Sequence, residues 1–201
     1  MEKIKAVIFD AGVLIKEDAE KARHIISVKF GLNEEKFKEY AIKNLTNSYK
    51  GALNYNDFFK NLIKEQGISA NSENLAIEWV KARNRFSKIN NSLLKEIRKL
   101  KNKYLFGIIA NSTILNDRAV ARKRVYKLFP FKIISYLVKK VKPDKEIFEL
   151  LISKLKKNKV KPEEILFVTI KEKNIEPAKN LGIQTYLFFE NKELINKLNE
   201  R

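Results

Sequence analysis

Five short apolar runs, at Lys3–Phe9, Tyr104–Ala110, Phe131–Ser135, Ile165–Thr169 and Gln184–Phe189, constrain this chain more than any other feature. Runs of this length, rich in Ile, Val and Phe, read as buried strands, and most of the later gaps between them carry apolar residues at helical spacing. Alternating strands and helices predict a parallel sheet with helices on its faces, because parallel neighbours need a crossover and the crossover helix covers the sheet. Between Asp144 and Leu155, residues Ile147, Phe148, Leu151, Ile152 and Leu155 form one such stripe, with Pro143 just ahead of the helix start.

The interval from about Lys16 to Ile89 breaks this pattern. It shows no convincing strand and reads as several amphipathic helices punctuated by Gly31, Gly51 and Gly67. Ala22, Ile26 and Phe30 line one helix, and Phe37, Tyr40 and Ala41 a second. Phe58, Phe59, Leu62 and Ile63 line a third, and Leu75, Ile77, Trp79 and Val80 lie in a fourth. Their aromatics are read as the core of a separate helical lobe. The expected architecture is α/β: a three-layer, Rossmann-like parallel-sheet core from residues 1–15 and 90–201, with an α-helical bundle inserted at 16–89.

With 201 residues, 44% of them hydrophobic, the chain can bury a substantial core. No apolar run approaches the roughly 20 residues that span a bilayer, and the start MEKIKAVIFD lacks the apolar region and cleavage site of a signal peptide. The expectation is a soluble, cytoplasmic protein with no membrane partner. The absence of cysteine rules out disulfides, thiolate metal sites and cysteine nucleophiles, and the single histidine, His24, rules out a histidine-based triad or a multi-histidine metal site. His24 is read as a surface or lobe-core residue. Any catalysis must rest on carboxylates, hydroxyls, lysines and backbone amides.

The net charge of +18 is carried mostly by lysines interleaved with glutamate, the pattern of solvated surface. One stretch departs from it. From Arg118 to Lys142 there are nine basic residues, among them Arg118, Arg122, Lys123, Arg124, Lys139 and Lys140, and no acid. A phosphorylated small molecule or a nucleic acid is the partner such a stretch would suit, against the plainer reading of a solvated face.

Chemistry points to the end of the first strand. In open α/β sheets ligands bind in the crevice beyond the carboxyl ends of the strands, and Asp10 stands there, followed at once by the small residues Ala11 and Gly12. Three later segments follow in order: GIIANST at 107–113, Lys142-Pro143-Asp144 within SYLVKKVKPDKEIFELL, and KPEEILFVTIKEKNIEPAKNLGIQTYLF at 161–188. With its helical insertion after the first of these motifs, the chain resembles, over its whole length, the haloacid dehalogenase-like (HAD) hydrolase superfamily.

The resemblance implies a helical cap, a phosphatase-type hydrolase body, and strands of motifs one, two and four lying side by side. Asp10 matches the nucleophile that attacks phosphorus, and Lys142 the lysine that neutralises nucleophile and phosphoryl group. Asn111 and Ser112 are the implied phosphate-binding residues, following Ala110 where the family has a hydroxyl; Asn111 as a plain helix cap is the alternative. Gly12 replaces the general acid–base aspartate of the first motif. Ile170 stands where a magnesium-binding aspartate belongs, and Asn174 where a further acid is usual.

Magnesium requires near-octahedral oxygen ligation, which an isoleucine cannot offer. No cofactor is therefore expected; any magnesium that did bind would rest on Asp10 and the Gly12 backbone. Lys171 is read as the substitute for the metal, pairing with Asp10. Two functions follow. The first is a HAD-like protein with a degraded magnesium-dependent phosphatase site, little or no turnover, and a phosphate- or nucleic-acid-binding role. The alternative is a weak or metal-independent hydrolase, of phosphomonoesterase or dehalogenase type, with Asp10 as nucleophile and Lys142 as its charge partner.

Overall fold

The computed structural model of the chain describes residues 3–121 and 125–200. Its core is a five-stranded sheet, all parallel, made of β1 (Ala6–Asp10), β4 (Leu105–Ala110), β5 (Phe131–Ile134), β6 (Ile165–Thr169) and β7 (Gln184–Leu187). Their order is β5-β4-β1-β6-β7. The first strand is therefore central, and Asp10 pairs in register with Ile109 at the carboxyl edge. The chain leaves β1 and returns on either side of it, which opens the crevice at that edge.

Every residue of β1 and of β6 is buried, as expected of parallel strands covered on both faces. Side chains alternate between the faces. Val7 and Phe9 pack with Leu93, Leu94 and Ile97 of α7 (Asn91–Lys99) and Leu194 and Leu198 of α12 (Asn191–Asn199). Ala6 and Ile8 pack with Ile147, Phe148, Leu151 and Leu155 of α10 (Lys145–Lys156) and Ala178 of α11 (Ile175–Lys179). The three layers follow from that alternation, and the stripe expected between Asp144 and Leu155 is the one α10 buries.

The inserted lobe contains α2 (Ala19–Phe30), α3 (Glu34–Lys43), α4 (Leu45–Tyr49), α5 (Tyr55–Gln66) and α6 (Ser72–Arg85). Short polar residues start four of these helices: the side chains of Asp18, Asn33, Asn54 and Asn71 each accept a hydrogen bond from a main-chain N–H of the first turn. Gly31 and Gly67 end α2 and α5 at φ 67° and 64°, a left-handed conformation that side chains resist. Phe37, Phe59, Leu62 and Leu75 form the lobe's core, while Ile77 faces solvent. His24 lies on the lobe surface, its Nδ1 2.9 Å from Glu34.

One expectation for this interval fails. The chain enters and leaves the lobe through a two-stranded antiparallel ribbon, β2 (Ile15–Glu17) against β3 (Ser87–Ile89). Strands of three residues are too short to show a period, so sequence patterning cannot reveal them. The lobe is seated on the core by α8 (Ile114–Ala121), whose Leu115 is buried within the lobe's own cluster, and by the buried Arg83 of α6, which pairs with Glu17 of β2. Among the described residues no helix is long and apolar enough to cross a membrane.

Candidate functional site

A cleft of about 270 Å³ lies between the carboxyl edge of the sheet and the lobe. Asp10 and Lys142 form its floor, α4 and Glu17 its roof, and Lys171, Lys173 and Asn174 one wall. Asp10 ends β1, and Lys142 arrives from the loop after α9 (Ser135–Val138). Lys142 is buried; its Nζ donates to the Ile109 carbonyl at 2.7 Å and lies 3.4 Å from Asp10 Oδ1. Burial holds the Lys142 ammonium below the usual lysine range, an effect opposed by the Asp10 carboxylate.

The second Asp10 oxygen is held as well. Thr169 Oγ1 donates to Oδ2 at 3.0 Å and Asn174 Nδ2 donates to it at 3.1 Å. Thr169 in turn accepts the main-chain N–H of Lys171 at 3.1 Å. The carboxylate thus has an ammonium on one oxygen and a hydroxyl and an amide on the other. Asn174 Oδ1, directed elsewhere, is buried without a hydrogen-bond partner among the described residues.

The sequence suggested Lys171 as the cation of Asp10. Lys171 does line the cleft, but the cation within 4.0 Å of Asp10, among the described residues, is Lys142. The reason is local: the hydrogen bond to Thr169 fixes the Lys171 backbone at the rim, where the residue is exposed. The neighbouring Ile170 reaches back over the first motif, and a Cβ placed on Gly12 would lie 2.9 Å from its Cδ1. Two of the positions where the sequence departs from the family pattern, Gly12 and Ile170, therefore lie against each other.

Asn111 and Ser112 also line the cleft, yet their polar atoms are largely engaged by the protein. Asn111 Nδ2 donates to the Lys142 carbonyl at 2.8 Å, and the Lys142 N–H donates back to Asn111 Oδ1 at 2.9 Å. Asn111 thus clamps the loop that carries the lysine instead of capping the helix that follows. The Ser112 main chain exchanges two hydrogen bonds with the Ser135 hydroxyl, at 3.0 and 3.1 Å. Substituting Asn111 by alanine leaves a main-chain N–H and carbonyl unpaired, and a loss of about 1–3 kcal/mol in urea unfolding is expected.

Thr169 and Asn174 are the site residues that sequence reasoning did not single out as partners of Asp10. One signal was present: Thr169 closes a buried strand adjacent to β1, so its side chain belongs to the same crevice. Of the basic stretch, Arg122, Lys123 and Arg124 lie outside the described residues. Arg118 sits on α8 with its guanidinium 5.4 Å from the centre of the Tyr55 ring, and Lys139 and Lys140 follow α9.

A central-strand carboxylate at the point where the crossovers diverge, covered by an inserted helical lobe, defines the class of protein. A family model of haloacid dehalogenase-like hydrolases matches residues 4–182, and the chain belongs to that family. Among solved structures it resembles the HAD family enzyme BT-2542 of Bacteroides thetaiotaomicron, with a TM-score of 0.76 and 26% identity over 92% of this chain and 93% of that one. The wild-type form of that enzyme in complex with magnesium and inorganic phosphate matches with a TM-score of 0.74 at 26% identity, over 91% and 93% of the two chains. A HAD-like family hydrolase of Porphyromonas gingivalis matches over 100% of both chains, with a TM-score of 0.76 at 20% identity, a likeness of fold alone. No curated protein matches the chain.

Proposed function

We propose that this chain uses the HAD-like hydrolase body to bind an anionic, phosphate-type ligand, with little or no magnesium-dependent phosphatase turnover. The observation that carries the reading is the occupancy of Asp10, whose two oxygens are taken up by Lys142, Thr169 and Asn174. A relative of this fold binds magnesium and phosphate. The residues here do not fit that ion. Asn174 offers its amide nitrogen, not its oxygen, to the carboxylate, and Ile170 fills the space above Gly12.

An ammonium can do part of what a divalent ion does, offsetting the charge of an anion brought beside a carboxylate. At about 4 Å and an effective dielectric of about 20, each like-charge pair costs roughly 4 kcal/mol, so binding without a metal requires such cations. A metal-independent hydrolase is the second reading, and the retained Asp10–Lys142 pair is what favours it. A small anion is proposed over a nucleic acid because the described basic residues of 118–142 are divided among several elements, with Arg118 stacked on the lobe.

The test is turnover of p-nitrophenyl phosphate by the wild type and by Asp10→Asn, with magnesium and with a chelator. The expected result is no Asp10-dependent turnover in either condition. Magnesium-stimulated turnover lost in the variant would contradict the proposal, and chelator-resistant turnover lost in the variant would favour the metal-independent hydrolase. Retention of nucleic acid that weakens steeply with salt would point to the other partner class.

A further inference from the structure

A second cavity, of about 320 Å³, adjoins the cleft on the side of the lobe. Its wall is apolar, built from Phe37, Leu53, Tyr55, Phe58, Phe59 and Trp79, with Ile114 and Leu115 from the core side. Leu45, Tyr49 and Asn116 line both cavities, so the two adjoin. Ser48 Oγ, on the same wall, is buried without a hydrogen-bond partner among the described residues. The Tyr136 hydroxyl donates to Asp117 at 3.0 Å, and burial, reinforced by that carboxylate, pushes the phenol up to about 12. This wall therefore presents a neutral hydroxyl. A space of this size enclosed by aromatics has the character of a ligand pocket.

Charge in the cleft is not balanced. Its three carboxylates each have a cation: Asp10 has Lys142 at 3.4 Å, Asp144 has Lys50 at 3.4 Å, and Glu17 has Arg83. Lys171 and Lys173 are left over, and among the described residues neither has an ion-pair partner within 4.0 Å. The surplus positive charge lies on one side of the junction and the apolar space on the other.

Resting on the reading of the cleft as an anion site, we infer that the ligand is an amphipathic anion: a phosphate or carboxylate head beside Lys171 and Lys173, and an aliphatic or aromatic body within the lobe cavity. The head and the body occupy adjoining compartments of opposite character, so neither half alone satisfies the site. The free hydroxyl of Ser48 suits a ligand with an acceptor or donor along its body.

Trp79, the chain's single tryptophan, lines the cavity and serves as the reporter. Its fluorescence would be followed while butyl, hexyl and octyl phosphate, octanoate, octan-1-ol and inorganic phosphate are added below micelle-forming concentrations. Affinity of the alkyl phosphates is expected to rise by about fourfold per added methylene until the cavity is filled, and octyl phosphate to bind at least about tenfold more tightly than octan-1-ol or inorganic phosphate. Octanoate matching or exceeding octyl phosphate would assign the head as a carboxylate within the same proposal. Lys171→Ala with Lys173→Ala should bring the anions down toward octan-1-ol while leaving octan-1-ol unchanged. No chain-length dependence, equal binding of octan-1-ol and the anions, or no binding by fluorescence and calorimetry would overturn the inference. Phosphate release measured in the same samples keeps the readings apart. Magnesium-stimulated release sinks the non-hydrolytic reading without touching the cavity, whereas failure of the alkyl series without release sinks only the amphipathic ligand.

Discussion

Lys142→Ala is expected to lower the melting temperature by about 6–20 °C. Breaking a buried ion pair by removing one partner costs about 3–5 kcal/mol, and in a chain of this size each kcal/mol moves the midpoint by about 2–4 °C. The physical cause is the carboxylate left behind. Asp10 and Lys142 are both buried, and without the ammonium no cation remains within 4.0 Å of the Asp10 carboxylate among the described residues. Asp10→Asn does the converse, stranding an ammonium on the Ile109 carbonyl alone. Asp10→Asn combined with Lys142→Met should therefore cost less than the sum of the two single variants, and thermal melts of all three close the cycle. Additive losses would mean that the two charges do not depend on each other.

A second large effect is expected from Ile170→Asp with Asn174→Asp. In chelator the new carboxylates crowd Asp10, and at about 4 Å and an effective dielectric of about 20 each ionised pair repels by roughly 4 kcal/mol; a fall of about 10 °C or more in melting temperature follows. In magnesium the same three oxygen donors become a cage, and saturating the ion to about a hundred times its Kd returns about 2.7 kcal/mol. The variant should thus show a magnesium-dependent melt that the wild type lacks. Gly12→Asp then becomes sterically free, because the Ile170 methyl that stands 2.9 Å from its Cβ position is gone. Adding it supplies a general acid–base group, worth about 10²–10⁴-fold in turnover. A variant that melts identically with and without magnesium would show that more than these positions separates this site from a metal-binding one.

The sheet and the lobe helices were legible because their signals are periodic and local. Fully apolar strands such as Ala6–Phe9, and the stripe from Ile147 to Leu155, repeat with the period of the element that buries them. The ribbon at Ile15–Glu17 and Ser87–Ile89 was not, since pairing across the whole lobe leaves no mark in three residues. Asp10 and Lys142 were singled out through the order of the motifs, and their contact depends on a loop path that no spacing encodes. For the same reason the grip of Thr169 and Asn174 on Asp10, and the clamp of Asn111 on Lys142, emerge only in three dimensions. The aromatics of the lobe were read as packed core. Phe37 and Phe59 are, but Phe58 and Trp79 remain partly exposed around the cavity.

In the proposed function the protein's own donors, and not a divalent cation, hold the Asp10 carboxylate. The orphaned Asn174 Oδ1 gives the rival a definite form: with the amide turned round, that oxygen and Asp10 would together face an ion. Calorimetric titration of the wild type with magnesium, beside Asp10→Asn, separates the two. The expected result is no saturable heat at millimolar magnesium in either protein. Saturable binding by the wild type that disappears in Asp10→Asn would contradict the claim.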